Sequence, residues 1–314
     1  MKVVDFSERE ASKLKRFLPS LLAVIVFSPL FALSAAANET ESVTLEKIAR
    51  TKTITIGHRT DELPFSYVTP DGVVRGYSID ICQRIADHVR DALKLDALKI
   101  NYVVATPGTR FVLVKSGKID MECSATTNNA ERREQVAFSY PHFITATRFV
   151  SKKSSNLNSI KDLSGRTVAS TTGTINIAQL QNVNRSQKLN ISVAITKVNS
   201  EAFTMVENDR ASAFVMDDVL LAAHVAFSKT PEDYAISRET FGPPEPYGIL
   251  LPKGDDAFKA LVNEALFTMF TGGEIETIYN KWFMSPVPPD NRNFNLPLSS
   301  ELKAAFKEPK EYLQ

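Results

Sequence analysis

The chain lacks a charge surplus. Its 314 residues include 37 Lys and Arg against 36 Asp and Glu, a formal net charge of +1. Phosphate backbones are held by a basic excess, so nucleic acid is not an expected partner. Catalytic signatures are also missing. There is no G-x-S-x-G elbow, no H-E-x-x-H, no C-x-x-C, no phosphate loop and no G-x-G-x-x-G. The four histidines, His58, His88, His142 and His224, are scattered without metal-ligand spacing. The adjacent acids Asp217 and Asp218 do not read as a dyad, because neighbours on a helix point in different directions. No metal and no cofactor are expected. Beyond the N-terminal segment, no stretch is long and apolar enough to span a membrane.

What is present begins with that segment. Phe17 to Asn38 carries no charge and follows Lys13, Lys15 and Arg16. A basic region, an apolar run and the small residues Ala35-Ala36-Ala37 form the layout of a secretory signal, residues 1–37, cleaved before Asn38. The rival is an uncleaved anchor, against which Pro19, Pro29 and the Ser-Ala tail argue. Without those 37 residues, five basic and three acidic residues are lost and the net charge becomes −1. Export permits disulfides. Cys82 and Cys123 are the only cysteines. They are either two buried thiols or one bridge; export and the lack of a third thiol favour the bridge.

The 43% hydrophobic and 23% charged composition is that of a globular protein. Length suggests about two domains. Strand-like and helix-like segments alternate. Thr53–Gly57, Ile100–Ala105, Ile119–Cys123, Arg166–Ser170, Ser192–Val198 and Ala213–Met216 read as strands. Asp80–Leu93 spaces Ile81, Ile85, Val89 and Leu93 four apart, a one-faced helix. Further helices are expected at Arg110–Lys115, Asn176–Gln181, Glu201–Asn208, Asp218–Ala226, Asp255–Phe270, Glu274–Phe283 and Glu301–Phe306. This alternation predicts an α/β fold with largely parallel sheets. Seams near Thr145–Lys153 and Pro243–Leu251 suggest a middle lobe inserted into a first, with a cleft between them.

Arg, Thr and Asp residues cluster at the ends of the expected strands: Arg59, Arg110, Ser124 to Arg132, Ser170 to Thr174, and Asp217. Each alone reads as a surface or capping residue. Together they lie where α/β sheets bind ligands, at the carboxyl ends of strands.

The stretches IGHRTDELPFSY, GYSIDIC, MECSATTNNAERREQVAFS, ASTTGT, AFVMDDVLL and YNKWF carry a resemblance. The chain resembles periplasmic solute-binding proteins of amino-acid importers driven by ATP, nearest the glutamate/aspartate-binding branch, from about Ser42 to Lys310. The resemblance implies a two-lobed, type II periplasmic-binding fold: mostly parallel sheets flanked by helices, with two hinge strands. Lobe one would comprise 38–145 and 247–314, and lobe two 146–246. It implies that Arg132, Thr127 and the Thr172-Gly173-Thr174 loop meet a ligand's α-carboxylate. Asp217 would hold the α-ammonium. Arg59, Arg110, Ala125 and Asn199 would read the side chain. Pro107, Ala125 and Asn199 replace polar residues of that branch. The implied partners are an amino-acid ligand and the importer's permease subunits, with the protein a periplasmic monomer.

Three arginines against one aspartate favour an acidic amino acid over a neutral one, because unpaired buried charge is costly. Asp61 and Glu62 are close enough to Arg59 to neutralise it instead. The alternatives are a binder of a neutral polar amino acid, a dehydratase-like enzyme on the same scaffold, and a sensing domain that docks on a receptor.

Overall fold

The computed structural model describes residues 42–313, so the expected signal segment at 1–37 lies outside the described residues. Two five-stranded sheets organise the chain. The first runs in the order Lys99–Val104, Thr53–His58, Met121–Glu122, Leu250–Leu251, Ala137–Phe138. The second runs Ser192–Thr196, Thr167–Thr171, Ala213–Asp217, Thr147–Lys152, Tyr234–Ile236. In each sheet four strands share one direction and one runs against them: Leu250–Leu251 in the first and Thr147–Lys152 in the second. These reversed strands follow the two segments on which the chain passes between sheets. Phe143–Thr145 and Glu245–Tyr247 pair antiparallel as a separate ribbon. This is the two-lobed α/β architecture expected from the sequence, with the ribbon in the place of the hinge strands.

The local rules that build the lobes are plain. In the helix Tyr77–Ala92, Ile81, Ile85 and Val89 are completely buried, as their spacing requires. It starts three residues before the expected Asp80, behind Gly76. Gly76 has φ +141°, and a Cβ there would lie 2.1 Å from the Phe65 carbonyl oxygen, so only glycine fits this entry. The helix Ile175–Gln187 runs six residues past the expected Gln181. Its last turns carry no apolar face, and it ends on Lys188 in the left-handed region at φ 51°. Helix Glu274–Phe283 buries Ile275, Tyr279, Trp282 and Phe283, while Trp282 Nε1 donates to Asp80 Oδ2 at 2.7 Å.

An aromatic cluster underlies the crossing ribbon. Phe65, Phe143, Tyr247 and Phe283 meet with ring centroids 4.9–5.9 Å apart, in edge-on and stacked pairs. Cys82 and Cys123 are joined in a disulfide with a sequence separation of 41. The bridge ties the helix Tyr77–Ala92 to the residue that opens the Ser124–Thr127 loop. Loop-closure entropy for that span amounts to about 4 kcal/mol. Among the described residues, no helix is long and apolar enough to cross a membrane.

Candidate functional site

Strand direction decides what faces what. His58, Val104 and Glu122 end the parallel strands of lobe one, and Arg59, Arg110 and Ala125 follow within a few residues. Thr171, Thr196 and Asp217 end the parallel strands of lobe two, followed by Thr174 and Asn199. Residues from both sets line one narrow cavity of about 10 Å³, walled by Glu62, Arg110, Ala125, Thr127, Arg132, Thr174, Ile175, Asn176, Asn199 and Asp217, with Met216 and Leu220 as its apolar side.

Two guanidinium groups of lobe one reach across to lobe two. Arg110 Nη2 donates to the Gly173 carbonyl at 3.1 Å, and Arg132 Nη2 to the same oxygen at 3.4 Å. Arg132 Nη1 also donates to the Thr127 carbonyl at 2.9 Å. Both cations lie over the Phe111 ring, 5.1 and 5.5 Å from its centroid. Among the described residues, neither is in an ion pair. Arg110 is 3% exposed, and its Nε has no hydrogen-bond partner among the described residues. Burial lowers the pKa of Arg110, and the Glu122 carboxylate opposes that effect. Burial, then the neighbouring Arg110 charge, brings Arg132 down to about 9. Two positive groups thus stand side by side with only carbonyl oxygens as acceptors.

Asp217 is the opposite case. It is 3% exposed and accepts from Asn176 Nδ2 at 2.7 Å, from Thr147 Oγ1 at 3.5 Å and from the Tyr247 hydroxyl. It has no cationic partner among the described residues. Burial raises its pKa, against the pull of the Tyr247 and Asn176 hydrogen bonds. Beside it, Thr174 caps the 13-residue helix Ile175–Gln187, whose first residues line the cavity. The free N–H groups of a helix start favour an anion.

The sequence-expected residues divide accordingly. Arg110, Ala125, Thr127, Arg132, Thr174, Asn199 and Asp217 line the cavity. Gly173 stands one step back and offers its carbonyl. With φ +72°, a Cβ on it would lie 2.7 Å from the Pro107 carbonyl oxygen of lobe one, so glycine permits the lobes to meet here. Arg59 is not in the wall. It is 2% exposed and pairs with Glu62 at 2.8 Å and Asp61 at 3.4 Å. Asn199 accepts from Thr171 Oγ1 at 2.8 Å, which leaves its amide nitrogen as the donor. Asn199 N donates to Asp61 Oδ2 at 3.1 Å, a second contact between the lobes.

Sequence reasoning did not single out Asn176, Thr147 or Tyr247 as the setting of Asp217. Asn176 opens an expected helix, but nothing in its neighbours marks it as inward-facing. Tyr247 sits in the second seam and becomes a partner only when the ribbon forms. A wider groove lined by Phe143, Arg148, Asp218, Tyr279 and Leu302 lies elsewhere. Its facing charges, Arg148 and Asp218, satisfy each other at 3.3 Å.

Residues 54–285 match the model of the bacterial extracellular solute-binding proteins, family 3. The chain belongs to that family. An L-glutamate/L-aspartate-binding protein of Pseudomonas aeruginosa is 40% identical over 94% of this chain and 97% of its own length. A glutamate/aspartate import solute-binding protein of Escherichia coli K12 is 37% identical over 95% of this chain and 98% of its own. Among solved structures, an ancestral arginine-binding protein bound to arginine matches with a TM-score of 0.66 and 29% identity. That match covers 74% of this chain and 98% of that one. As a family 3 solute-binding protein the chain is a transport component and not an enzyme.

Proposed function

We propose that this family 3 protein is the substrate-binding component of an amino-acid importer and that it takes an acidic amino acid, glutamate or aspartate. The observation that carries this reading is the cavity's uncompensated charge: Arg110 and Arg132 from one lobe, unpaired, facing unpaired Asp217 from the other. A ligand with two carboxylates and one ammonium complements that set one for one. The glutamate/aspartate-binding relatives support the same ligand class.

In this reading Arg132 and the Thr127 hydroxyl take the α-carboxylate, with the N–H groups around Gly173 and Thr174. A planar guanidinium fork suits a carboxylate. Asp217, steadied by Tyr247 and Asn176, takes the ammonium. Arg110 takes the distal carboxylate, assisted by the Asn199 amide. Arg59 acts at one remove, through Glu62. The lobes divide at the ribbon, 38–145 with 247–314 against 146–246. Ligand bridging them favours the closed arrangement by binding it better. Export by the 1–37 signal would place the protein in the periplasm, as a monomer delivering ligand to permease subunits.

The test is a thermal-shift screen of the protein amino acids and small dicarboxylates, because binding to the native state raises the midpoint. Glutamate and aspartate are expected to give the largest shifts. A screen in which neither shifts the midpoint, while a neutral or basic amino acid does, overturns the ligand assignment.

A further inference from the structure

Glu62 lies in the cavity wall and is 3% exposed. Its Oε1 accepts from Arg59 Nη1 at 2.8 Å, and its Oε2 accepts from the Ala125 N–H at 2.8 Å. Arg59 and Ala125 are two of the four residues expected to read a ligand's side chain. The protein's own carboxylate therefore occupies both donors. Charged groups around it are Arg59, Glu122 and Arg110, and of these only Arg59 is within ion-pair distance.

We propose that Glu62 is the specificity-determining residue of the side-chain subsite, a built-in carboxylate that weakens the pocket's preference for an acidic side chain over a carboxamide. This rests on the reading of the cleft as the amino-acid site. A distal carboxylate arriving there finds Arg110 Nε without a partner among the described residues, but it also meets a like charge and two donors already engaged. Like charges in a desolvated site oppose one another. A carboxamide meets no such opposition. Its oxygen accepts from Arg110 and its NH₂ donates to Glu62, so one carboxylate and one guanidinium satisfy both ends. Burial raises the pKa of Glu62, in keeping with a carboxylate placed where charge is costly. In the sequence, the only sign was the proximity of Glu62 to Arg59.

The experiment is calorimetry of wild type, Glu62→Gln and Glu62→Ala with glutamate, glutamine, aspartate and asparagine. Both variants are expected to raise the affinity ratio of acid to amide at least 10-fold, mainly through tighter binding of the acid. A ratio within twofold of wild type in both variants overturns the proposal. Wild type that binds glutamine but not glutamate defeats the acidic reading alone; Glu62 must then still shift the ratio in the same direction. If wild type binds none of the four ligands, both readings fall. Removing Glu62 leaves buried Arg59 with only the longer Asp61 pair at 3.4 Å, which can prevent folding. A crystal structure of the wild-type complex then decides. Glu62 is expected to stay on Arg59 and the Ala125 N–H, with the ligand's distal group on Arg110. A ligand group that itself takes Arg59 and the Ala125 N–H, with Glu62 displaced, overturns the proposal.

Discussion

His142 shows how burial alone sets a residue's chemistry. It is 0% exposed, its Nε2 lies 3.0 Å from Ser78 Oγ, and its Nδ1 has no partner among the described residues. Burial lowers its pKa to about 3. An unfolded chain restores the ordinary value near 6.5. Between those values the unfolded state binds the proton and the folded state does not, so stability falls as pH falls. At pH 5 the cost is about 2 kcal/mol, from 1.36 kcal/mol per unit over one and a half units. Denaturant titrations at pH 7.5 and 5.0 are expected to show His142→Gln losing about 2 kcal/mol less than wild type between the two. Parallel losses would contradict the assignment. At this scale, the sequence identified the residues that differ in kind from their surroundings: Arg110, Arg132 and Asp217, strong charges in loops after strands. It named Asp61 and Glu62 as charges that could neutralise Arg59, without deciding whether they do. Arg59 and Glu62 are three apart, and only the hairpin of Asp61–Glu62 with Ser66–Val68 turns them together into a buried pair. Tyr247 and Asn176 were illegible for a similar reason, because their meaning lies in a partner some 30 to 40 residues away.

Among the elements, alternation of strand and helix was readable because periods of 2.0 and 3.6 differ strongly over such lengths. Element ends were less so. The expected strand Ile119–Cys123 is regular only at Met121–Glu122: the Asp120 carboxylate takes the Thr55 N–H at 2.8 Å, while Asp120 N and Cys123 N still donate to the Thr55 and Gly57 carbonyls. Helix Ile175–Gln187 outruns its pattern because exposed turns need no apolar face. The disulfide is the element-scale device that holds the site loop, since Cys123 immediately precedes Ser124–Thr127 and Cys82 belongs to the helix behind it. The double variant Cys82→Ser, Cys123→Ser is expected to lose about 2–4 kcal/mol of unfolding free energy. Urea titration of oxidised wild type and variant measures it. Equal midpoints would show that the bridge contributes nothing at equilibrium.

In the whole molecule, some contacts between the lobes fall on proposed ligand-binding residues, while others, such as Arg292 Nη1 donating to the Ser228 carbonyl at 3.0 Å and Phe227 packed on Phe294, lie away from them. Gly173 receives both guanidinium groups and passes beneath Pro107, while Asp61 caps the start of the Asn199–Glu207 helix from the other lobe. The two-lobed plan was legible from the two seams, since chain crossings leave β-prone segments beside loops. Which glycine lets the lobes approach was not, because proximity across a cleft leaves no local trace. Gly173→Ala places a Cβ against the Pro107 carbonyl and strains a positive φ. Ligand affinity is expected to fall about 10-fold or more, a loss of about 1.4 kcal/mol, with a smaller contraction on binding by small-angle scattering. Wild-type affinity and contraction in the variant would contradict the close approach.

The claim that unpaired cleft charges select the ligand is tested most directly by calorimetry of glutamate and glutamine on wild type and Arg110→Ala. Wild type is expected to bind glutamate at about micromolar, or −8 kcal/mol. Loss of Arg110 is expected to weaken glutamate roughly 10- to 100-fold, the worth of a charge-assisted hydrogen bond, and glutamine, whose neutral carboxamide oxygen accepts from the same guanidinium, several-fold less than glutamate. Equal losses for both ligands, or unchanged glutamate binding, would mean that Arg110 does not read the distal carboxylate.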